Sequence, residues 1–412
     1  MTRTRRSLLI SLAAGLSFAS ASKIVRAGEP TQAAAPSKVR TGIDALADQG
    51  FGLLSGLSIG LITNQTGRDG SGRRTIDLLR SAPGVRLAAI FSPEHGLDGD
   101  REGAIGTALD ARTGLPVYSL YGATRRPTGE MLSGLDAVVV DLQDVGVRFF
   151  TYATTMAYAM ESAAPRGLQV IVLDRPNPIG PAGARGPLLD PALRSFTGYF
   201  AAPVQHGMTI GELAAMHNAE SHIGAKLTVV RMQGYRRDLW FDETGLEWVD
   251  PSPNLRSLTE AILYPGVALV EGAKLSVGRG TPTPFETLGA PWIDGQALAN
   301  ELVGRQVPGV RFEPTRFTPE QDRYQGAPCR GVRIALVDRS ALDAPRLGVE
   351  LAAALRRLYP EQFDSEAMLG NLGSRQTLAA IDAGEPSSAI IASWRPALQA
   401  FEALKAKYLL YG

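Results

Sequence analysis

Four short apolar segments, each followed by a polar cluster, most constrain the fold of this 412-residue chain. They have the length and composition of buried parallel strands, and helix-like stretches such as residues 75–79 and 151–163 separate them. This alternation predicts a series of βαβ units, and therefore an α/β domain with a mostly parallel sheet. The four segments are residues 57–62, 87–91, 137–142 and 168–173.

The polar clusters that follow these segments predict where a ligand binds. In open parallel sheets, ligands bind outside the carboxyl ends of the strands, so we expect the clusters to meet around one crevice. The clusters are residues 63–67, 92–96, 143–148 and 174–178.

The pattern becomes more mixed beyond residue 258, which predicts a smaller α+β domain. We place the first domain at residues 41–258 and the second at residues 259–412. Before the boundary, Thr209 and Glu212 have the spacing of a capping box, so Glu212 is expected to cap a helix rather than to catalyse. The predicted strands of the second domain are residues 310–312 and 332–337, and the predicted helices are residues 347–358 and 396–404.

The N-terminus has the pattern of an export signal. Arg5 and Arg6 precede a mild apolar run to about Ala21, and small residues follow where a signal peptidase could cut. We predict a twin-arginine-type signal peptide over residues 1–27 and a linker over residues 28–40. The apolar run is short and rich in Ser and Gly, so export to the periplasm is favoured over a membrane anchor.

Composition excludes several classes of function. The 42 Lys and Arg residues balance 41 Asp and Glu residues, so the chain lacks the basic surface expected of a nucleic-acid-binding protein. The single Cys329 cannot form an intramolecular disulfide, and the four His residues lack metal-ligand spacing. No phosphate-binding glycine motif follows the first predicted strand, so a nucleotide cofactor is not expected. Because the His residues lack metal-ligand spacing, a metal is not expected either. The composition therefore favours a ligand that is small or neutral.

Two acidic residues are candidates for catalysis. Glu94 lies beside His95 on a short loop after a strand, where Pro93 and Gly96 would hold a general acid open to a ligand. The alternative is a pair that only stabilises the turn. Asp144 follows the next predicted strand, and it could instead bond backbone amides at a helix start.

Other polar residues near the strand ends could bind the ligand. Arg175 and Asn177 lie on a loop stiffened by two prolines, although an Asp174–Arg175 ion pair closing a turn is an equal alternative. Arg148 and Tyr152 lie near a predicted helix start, a position that favours an anionic group. Two separated carboxylates without a metal or cofactor motif are the pattern expected of a glycosidase.

The motifs resemble a known family in order and content. The chain resembles the exo-β-N-acetylmuramidases of the NamZ type, glycoside hydrolase family 171, from about residue 57 to residue 411. The motifs are residues 64–67 (Asn-Gln-Thr-Gly), 92–96 (Ser-Pro-Glu-His-Gly), 141–148 (Asp-Leu-Gln-Asp-Val-Gly-Val-Arg), 151–152 (Thr-Tyr), 173–178 (Leu-Asp-Arg-Pro-Asn-Pro), 206–212 (His-Gly-Met-Thr-Ile-Gly-Glu), 251–254 (Pro-Ser-Pro-Asn) and 278–281 (Gly-Arg-Gly-Thr).

The resemblance implies a Rossmann-like N-terminal domain and a smaller C-terminal domain. It also implies removal of N-acetylmuramic acid from the non-reducing end of peptidoglycan fragments, with Glu94 as a catalytic residue. We add Asp144 as the second catalytic group from its position, and we expect the lactyl carboxylate of the sugar to contact Arg148 or Arg175. The predicted substrate-binding residues are Asn64, Gln65, His95, Arg148, Tyr152, Arg175, Asn177, His206, Asn254 and Arg279.

Two other functions stay open on the sequence. One is a periplasmic muropeptide-binding protein without catalysis, since a fold does not fix function. The other is a metal-dependent hydrolase that uses His95, Asp141, Asp144 and His206.

Overall fold

The structure is a computed structural model that describes residues 38–101, 103 and 106–412. The predicted signal peptide and residues 28–37 of the predicted linker lie outside these described residues. Within them, no helix is both long and apolar enough to cross a membrane.

Twelve strands occur in the described part of the chain. In chain order they are β1 (Ser58–Thr63), β2 (Arg86–Ser92), β3 (Ala108–Leu109), β4 (Pro116–Ser119), β5 (Ala137–Asp141), β6 (Gln169–Leu173), β7 (Arg185–Leu188), β8 (Pro203–Gln205), β9 (Lys226–Val230), β10 (Thr287–Ala290), β11 (Val310–Phe317) and β12 (Cys329–Leu336).

Eleven α-helices accompany these strands across the same residues. They are α1 (Gly42–Asp48), α2 (Thr75–Ser81), α3 (Tyr152–Ala163), α4 (Ile210–Glu220), α5 (Leu258–Val267), α6 (Gly295–Gly304), α7 (Ala344–Leu358), α8 (Leu369–Leu372), α9 (Arg375–Asp382), α10 (Ser387–Ser393) and α11 (Arg395–Lys405).

The largest sheet has the strand order β3-β4-β2-β1-β5-β6-β9. All its pairings are parallel except that of β3 with β4. Without the two-residue β3, the order is that of a Rossmann fold, in which the chain reverses direction across the sheet between β1 and β5. The predicted α/β, Rossmann-like fold is confirmed.

The four predicted apolar segments form β1, β2, β5 and β6. They are continuously apolar because both faces of the sheet are covered by a hydrophobic core. Val138 and Val140 of β5 enter one hydrophobic core, whereas Ala137 and Val139 enter a second core on the opposite face. A strand covered on both faces needs apolar residues at every position, in contrast to the alternating pattern of a strand with one face in water.

A smaller, antiparallel sheet of order β10-β12-β11 follows, with α6 packed against β11 and β12. It agrees with the predicted α+β character of the C-terminal part. The larger hydrophobic core includes residues from both sheets, and the described residues belong to one compact unit. The division between residues 258 and 259 stays a prediction.

The capping box predicted at the start of α4 is present. The Thr209 hydroxyl accepts a hydrogen bond from the Glu212 amide at 3.2 Å, and the Glu212 carboxylate accepts one from the Thr209 amide at 2.9 Å. Arg237 pairs with the same carboxylate at 2.6 Å. Glu212 therefore has the structural role predicted from its spacing.

Candidate active site

A cavity of about 520 Å³ lies where the carboxyl edge of the large sheet meets the C-terminal part of the chain. Its volume is within the range of small-molecule sites. The two parts contribute comparable shares of its wall. The lining residues are Glu94, His95, Phe149, Phe150, Thr151, Thr197, Ser252, Asn254 and Leu255, and from the later part Tyr264, Glu271, Arg279, Gly280, Phe285, Gln321, Asp322 and Asn371.

Glu94 reaches the cavity from a tight loop directly after β2. Gly96 donates its amide to the Pro93 carbonyl at 3.1 Å, and His95 has a φ of 69°, which is in the left-handed region. Non-glycine residues rarely adopt this conformation. It persists where surrounding contacts hold the backbone in place, and such positions are frequent near functional sites. The His95 Nδ1 lies 2.9 Å from the Arg101 carbonyl, which only accepts, so this nitrogen carries the proton.

Thr151 and Tyr152 fix the surroundings of Glu94 from the start of α3. The Thr151 hydroxyl donates to Glu94 Oε2 at 2.5 Å. Tyr152 is fully buried, and its hydroxyl donates to the Pro251 carbonyl at 2.5 Å. Tyr152 thus lies behind the cavity wall, where it holds the turn that presents Asn254.

Aromatic rings form one wall of the cavity around Tyr264. Its ring centroid lies 5.1 Å from that of Phe149 and 4.8 Å from that of Phe285, both edge to face. Burial raises the pKa of the Tyr264 hydroxyl, so this group is a neutral hydrogen-bond donor at physiological pH. Rings with one hydroxyl among them suit a sugar, which has apolar faces and polar edges.

Arg279 and Glu271 form a charged pair on another wall. Arg279 Nε donates to Glu271 Oε1, and Nη2 lies 3.4 Å from Oε2. Asp322 Oδ2 is 3.9 Å from the same Nε, and the Phe285 ring lies 5.3 Å from the guanidinium carbon. The pair fixes the orientation of the guanidinium group inside the cavity.

Arg148, a predicted substrate-binding residue, lies behind the cavity wall in the structure. Arg148 is 2% exposed and donates to the carbonyls of Pro187, Ala202, Asn371 and Leu372 at 2.8–3.0 Å. Burial lowers its pKa to about 9, which leaves it protonated at neutral pH. Its charge holds main-chain segments together behind the cavity.

Arg175 and Asn177 also lie outside the cavity wall. Arg175 makes a bidentate pair with Asp141, with Nε at 2.6 Å and Nη2 at 3.0 Å from the two carboxylate oxygens. It borders a separate cavity of about 40 Å³, too small for a sugar. Asn177 donates to the Met208 carbonyl at 3.0 Å and accepts from the Ile179 amide at 3.0 Å.

Asp144, the predicted second catalytic group, is 4% exposed and does not line the cavity. Its Oδ2 accepts from the Gly146 amide at 2.7 Å and lies 3.4 Å from His206 Nε2. The Nδ1 of His206 accepts from the Met208 amide at 3.2 Å, which places the ring proton on Nε2, toward Asp144. Both residues contribute contacts to the turn after β5 and do not line the cavity, and a catalytic role for Asp144 stays a prediction.

Asn64 and Gln65 are likewise turn residues in this geometry. The Asn64 side chain accepts from the amide of Thr66 at 3.0 Å and from its hydroxyl at 2.6 Å. Gln65 donates to the Asp250 carbonyl at 2.7 Å. The cavity therefore brings together four of the predicted site residues, which are Glu94, His95, Asn254 and Arg279.

Several lining residues carried no signal in the sequence. Tyr264, Phe285 and Asn371 resemble ordinary core or helix residues, and Glu271 and Asp322 lie outside the predicted strand ends. They become neighbours only through the packing of the C-terminal part. Among the residues that the structure describes, no three His, Cys, Asp or Glu side chains are grouped so that they could hold a metal ion.

The fold and cavity define a class of protein. A carboxyl group held by a hydroxyl donor, in a cavity that aromatic rings and further carboxyl groups also line, on a Rossmann-like scaffold, fits a glycoside hydrolase. Comparisons with known proteins identify the family within this class.

Two family models match nearly the whole described chain. The model described as exo-beta-N-acetylmuramidase NamZ, N-terminal, matches residues 59–259, and its C-terminal counterpart matches residues 262–411. The chain belongs to the NamZ exo-β-N-acetylmuramidase family, so the resemblance seen in the motifs is confirmed, together with the prediction of a glycosidase.

Individual relatives agree with this assignment. The chain is 43% identical over 385 residues to the peptidoglycan beta-N-acetylmuramidase NamZ of Bacillus subtilis, covering 92% of this chain and 93% of that protein. Crystal structures of two DUF1343 family proteins from Bacteroides fragilis each cover 91% of this chain and 99% of their own. Their TM-scores are 0.85 and 0.75, at 36% and 29% identity.

Proposed function

We propose that this protein is an exo-acting glycoside hydrolase that releases N-acetylmuramic acid from the non-reducing end of peptidoglycan fragments. Family membership and the name of the Bacillus subtilis relative support the reaction and the substrate. The observation that carries the proposal within the molecule is the position of Glu94, which reaches an aromatic-lined cavity and is held there by Thr151.

Glu94 has the position of the general acid in this proposal. Cleavage of a glycosidic bond requires a proton on the leaving oxygen while positive charge develops at the anomeric carbon. Glu94 supplies the proton, and the Thr151 hydroxyl, bonded to Oε2, fixes the carboxyl group toward the cavity.

A pair of isomeric disaccharides tests both the sugar and the direction of attack. The enzyme is expected to release free sugar from the disaccharide with N-acetylmuramic acid at the non-reducing end. It is expected to leave intact the isomer with N-acetylglucosamine at that end. Binding of the first disaccharide without any product would indicate a muropeptide-binding protein, and loss of activity with a chelator would indicate a metal-dependent hydrolase.

We further propose that the protein acts in the periplasm, since the twin-arginine pattern of residues 1–27 supports export. Cell fractionation tests this location. The wild-type protein is expected in the periplasmic fraction, whereas a double variant with Arg5→Lys and Arg6→Lys is expected to remain in the cytoplasm. Equal distribution of the two proteins would contradict the proposed export route.

A further inference from the structure

We infer that Arg279 binds the lactyl carboxylate that distinguishes N-acetylmuramic acid from N-acetylglucosamine, and so determines which sugar the cavity accepts. This inference rests on the proposed function. It starts from the chemistry of the substrate, since an anionic group taken out of water needs a cationic or hydrogen-bonding partner.

The positions of the arginines limit which residue can bind the lactyl carboxylate. Arg148 is fully engaged by main-chain carbonyls behind the wall, and Arg175 is paired with Asp141 outside the cavity. Among the described residues that line the cavity, Arg279 is the only arginine, and no lysine accompanies it. Its side chain is 22% exposed and lines the cavity.

The loop of residues 278–281 is built to present this side chain. Gly278 and Gly280 have φ values of 82° and 71°, and a Cβ atom on Gly280 would lie 2.4 Å from the amide nitrogen of Gln321. The Thr281 hydroxyl closes the loop by donating to the Gly278 carbonyl at 2.6 Å. The glycines on either side of Arg279 thus allow the loop to pack closely against neighbouring backbone. This packing fixes the position of the Arg279 Cα atom.

Glu271 fixes the position of the guanidinium group at the other end of the Arg279 side chain. Its carboxylate engages the Nε and Nη2 side of Arg279, and the Phe285 ring lies 5.3 Å from the guanidinium carbon. An arginine held in one orientation before binding loses less conformational entropy when a carboxylate arrives. Glu271 is therefore a positioning residue for Arg279.

The remaining charges of the wall explain why the position of Arg279 decides specificity. Glu94, Glu271 and Asp322 are the carboxyl groups among the described lining residues, and Arg279 is the lining residue whose charge offsets those of Glu271 and Asp322. A sugar that carries a lactyl carboxylate is therefore accepted in the orientation that brings this group to Arg279. N-acetylglucosamine lacks the group and loses the contact.

Three para-nitrophenyl β-glycosides test the inference. They are the N-acetylmuraminide, its neutral lactyl amide of nearly equal size, and the N-acetylglucosaminide. Arg279→Gln is expected to lower kcat/KM for the muraminide by about 10- to 100-fold, as for loss of a charge-assisted hydrogen bond. The same variant is expected to change kcat/KM for the lactyl amide by less than about threefold, because the lactyl amide carries no negative charge that could pair with Arg279.

Two further variants separate binding from structure. Arg279→Lys keeps the charge and is expected to recover part of the activity on the muraminide. Arg311→Gln, on the exposed side of β11, is the matched control and is expected to behave as wild type on every substrate. If Arg279→Gln did not fold, the wild type alone would still decide, since it is expected to prefer the muraminide over its amide by about tenfold or more.

The outcomes distinguish this inference from the proposed function. Equal losses of Arg279→Gln on the muraminide and the amide, or equal wild-type activity on both, would overturn the role of Arg279 and leave the muramidase assignment intact. A wild-type enzyme that cleaves neither would overturn the proposed function itself.

Discussion

The hydroxyl of Thr151 donates a 2.5 Å hydrogen bond to Oε2 of Glu94, and this contact joins the connections that follow β2 and β5, the two strands on either side of β1. Glu94 follows β2, whereas Thr151 immediately precedes α3, the helix that follows β5. The carboxyl group is therefore fixed by an element distant in sequence, which is how a general acid on a short loop is kept in one position.

Replacing Thr151 tests the value of this contact. Thr151→Val keeps the shape of the side chain but leaves Glu94 Oε2 without its donor, so kcat is expected to fall by about tenfold or more while KM changes little. Thr151→Ser restores the hydroxyl and is expected to retain most of the activity. Steady-state kinetics on a muraminide provides the measurement, and a valine variant with wild-type kcat would rule out a positioning role for Thr151.

Arg148→Met is expected to destabilise the protein more than to alter its chemistry. The substitution leaves the carbonyls of Pro187, Ala202, Asn371 and Leu372 buried without their donor. We expect the free energy of unfolding to fall by about 3 kcal/mol or more. Urea denaturation measures this loss, with Arg316→Met at an exposed position of β11 as the control. Unchanged stability would contradict the structural role of Arg148.

Asp144→Asn separates a structural from a catalytic role for this residue. The amide oxygen can replace Oδ2, which faces both the Gly146 amide and His206, but the carboxylate charge beside His206 is lost and the new NH₂ group is buried at the position of Oδ1, where no acceptor lies. We expect a lower melting temperature and a kcat within about tenfold of wild type. A kcat reduced by about 100-fold or more at an unchanged melting temperature would instead restore Asp144 as the second catalytic group.

Asp174 is expected to make stability depend on pH. Burial raises its pKa to about 6, although the Tyr411 and Thr209 hydroxyls and the Gly211 amide oppose the shift by donating to the carboxylate. Because the folded-state pKa lies above the unfolded value, the folded protein binds the proton more tightly. The resulting stabilisation is complete below about pH 4 and is lost as the pH rises through about 6.

Comparison of the wild type with Asp174→Asn isolates this titration. Between about pH 4 and 7, the wild type is expected to lose up to about 3 kcal/mol of unfolding free energy relative to the variant. Denaturation curves at several pH values give the difference. A difference that is constant over this range, or that changes in the opposite direction, would show that Asp174 is not protonated in the folded protein at low pH.

The sequence predicted the sheet well because its signal is local. The strands β1, β2, β5 and β6 are apolar at nearly every position, and the Thr209 capping box lies within four residues of chain. The edge strand β9 was missed, since its residues alternate in exposure and its apolar run is short. The short β3 and β4 carried no comparable signal.

The site was predicted less well for a physical reason that Arg148 illustrates. Residues at the carboxyl ends of strands usually meet the ligand, but here the C-terminal part covers that edge. Arg148 bonds Asn371 and Leu372, which are more than 200 residues away, and Asp174 accepts from Tyr411. Arg148, Arg175 and Asn177 are therefore buried, whereas Glu94 and His95, on the loop after β2, line the cavity.

The most direct test of the account is the turnover of a para-nitrophenyl β-N-acetylmuraminide by the wild type and by Glu94→Gln. The variant keeps the size and the hydrogen bond from Thr151 but cannot supply a proton, so kcat is expected to fall by about 10²- to 10⁴-fold with little change in melting temperature. A Glu94→Gln enzyme that releases the chromophore at the wild-type rate would contradict the assignment of Glu94 as the general acid.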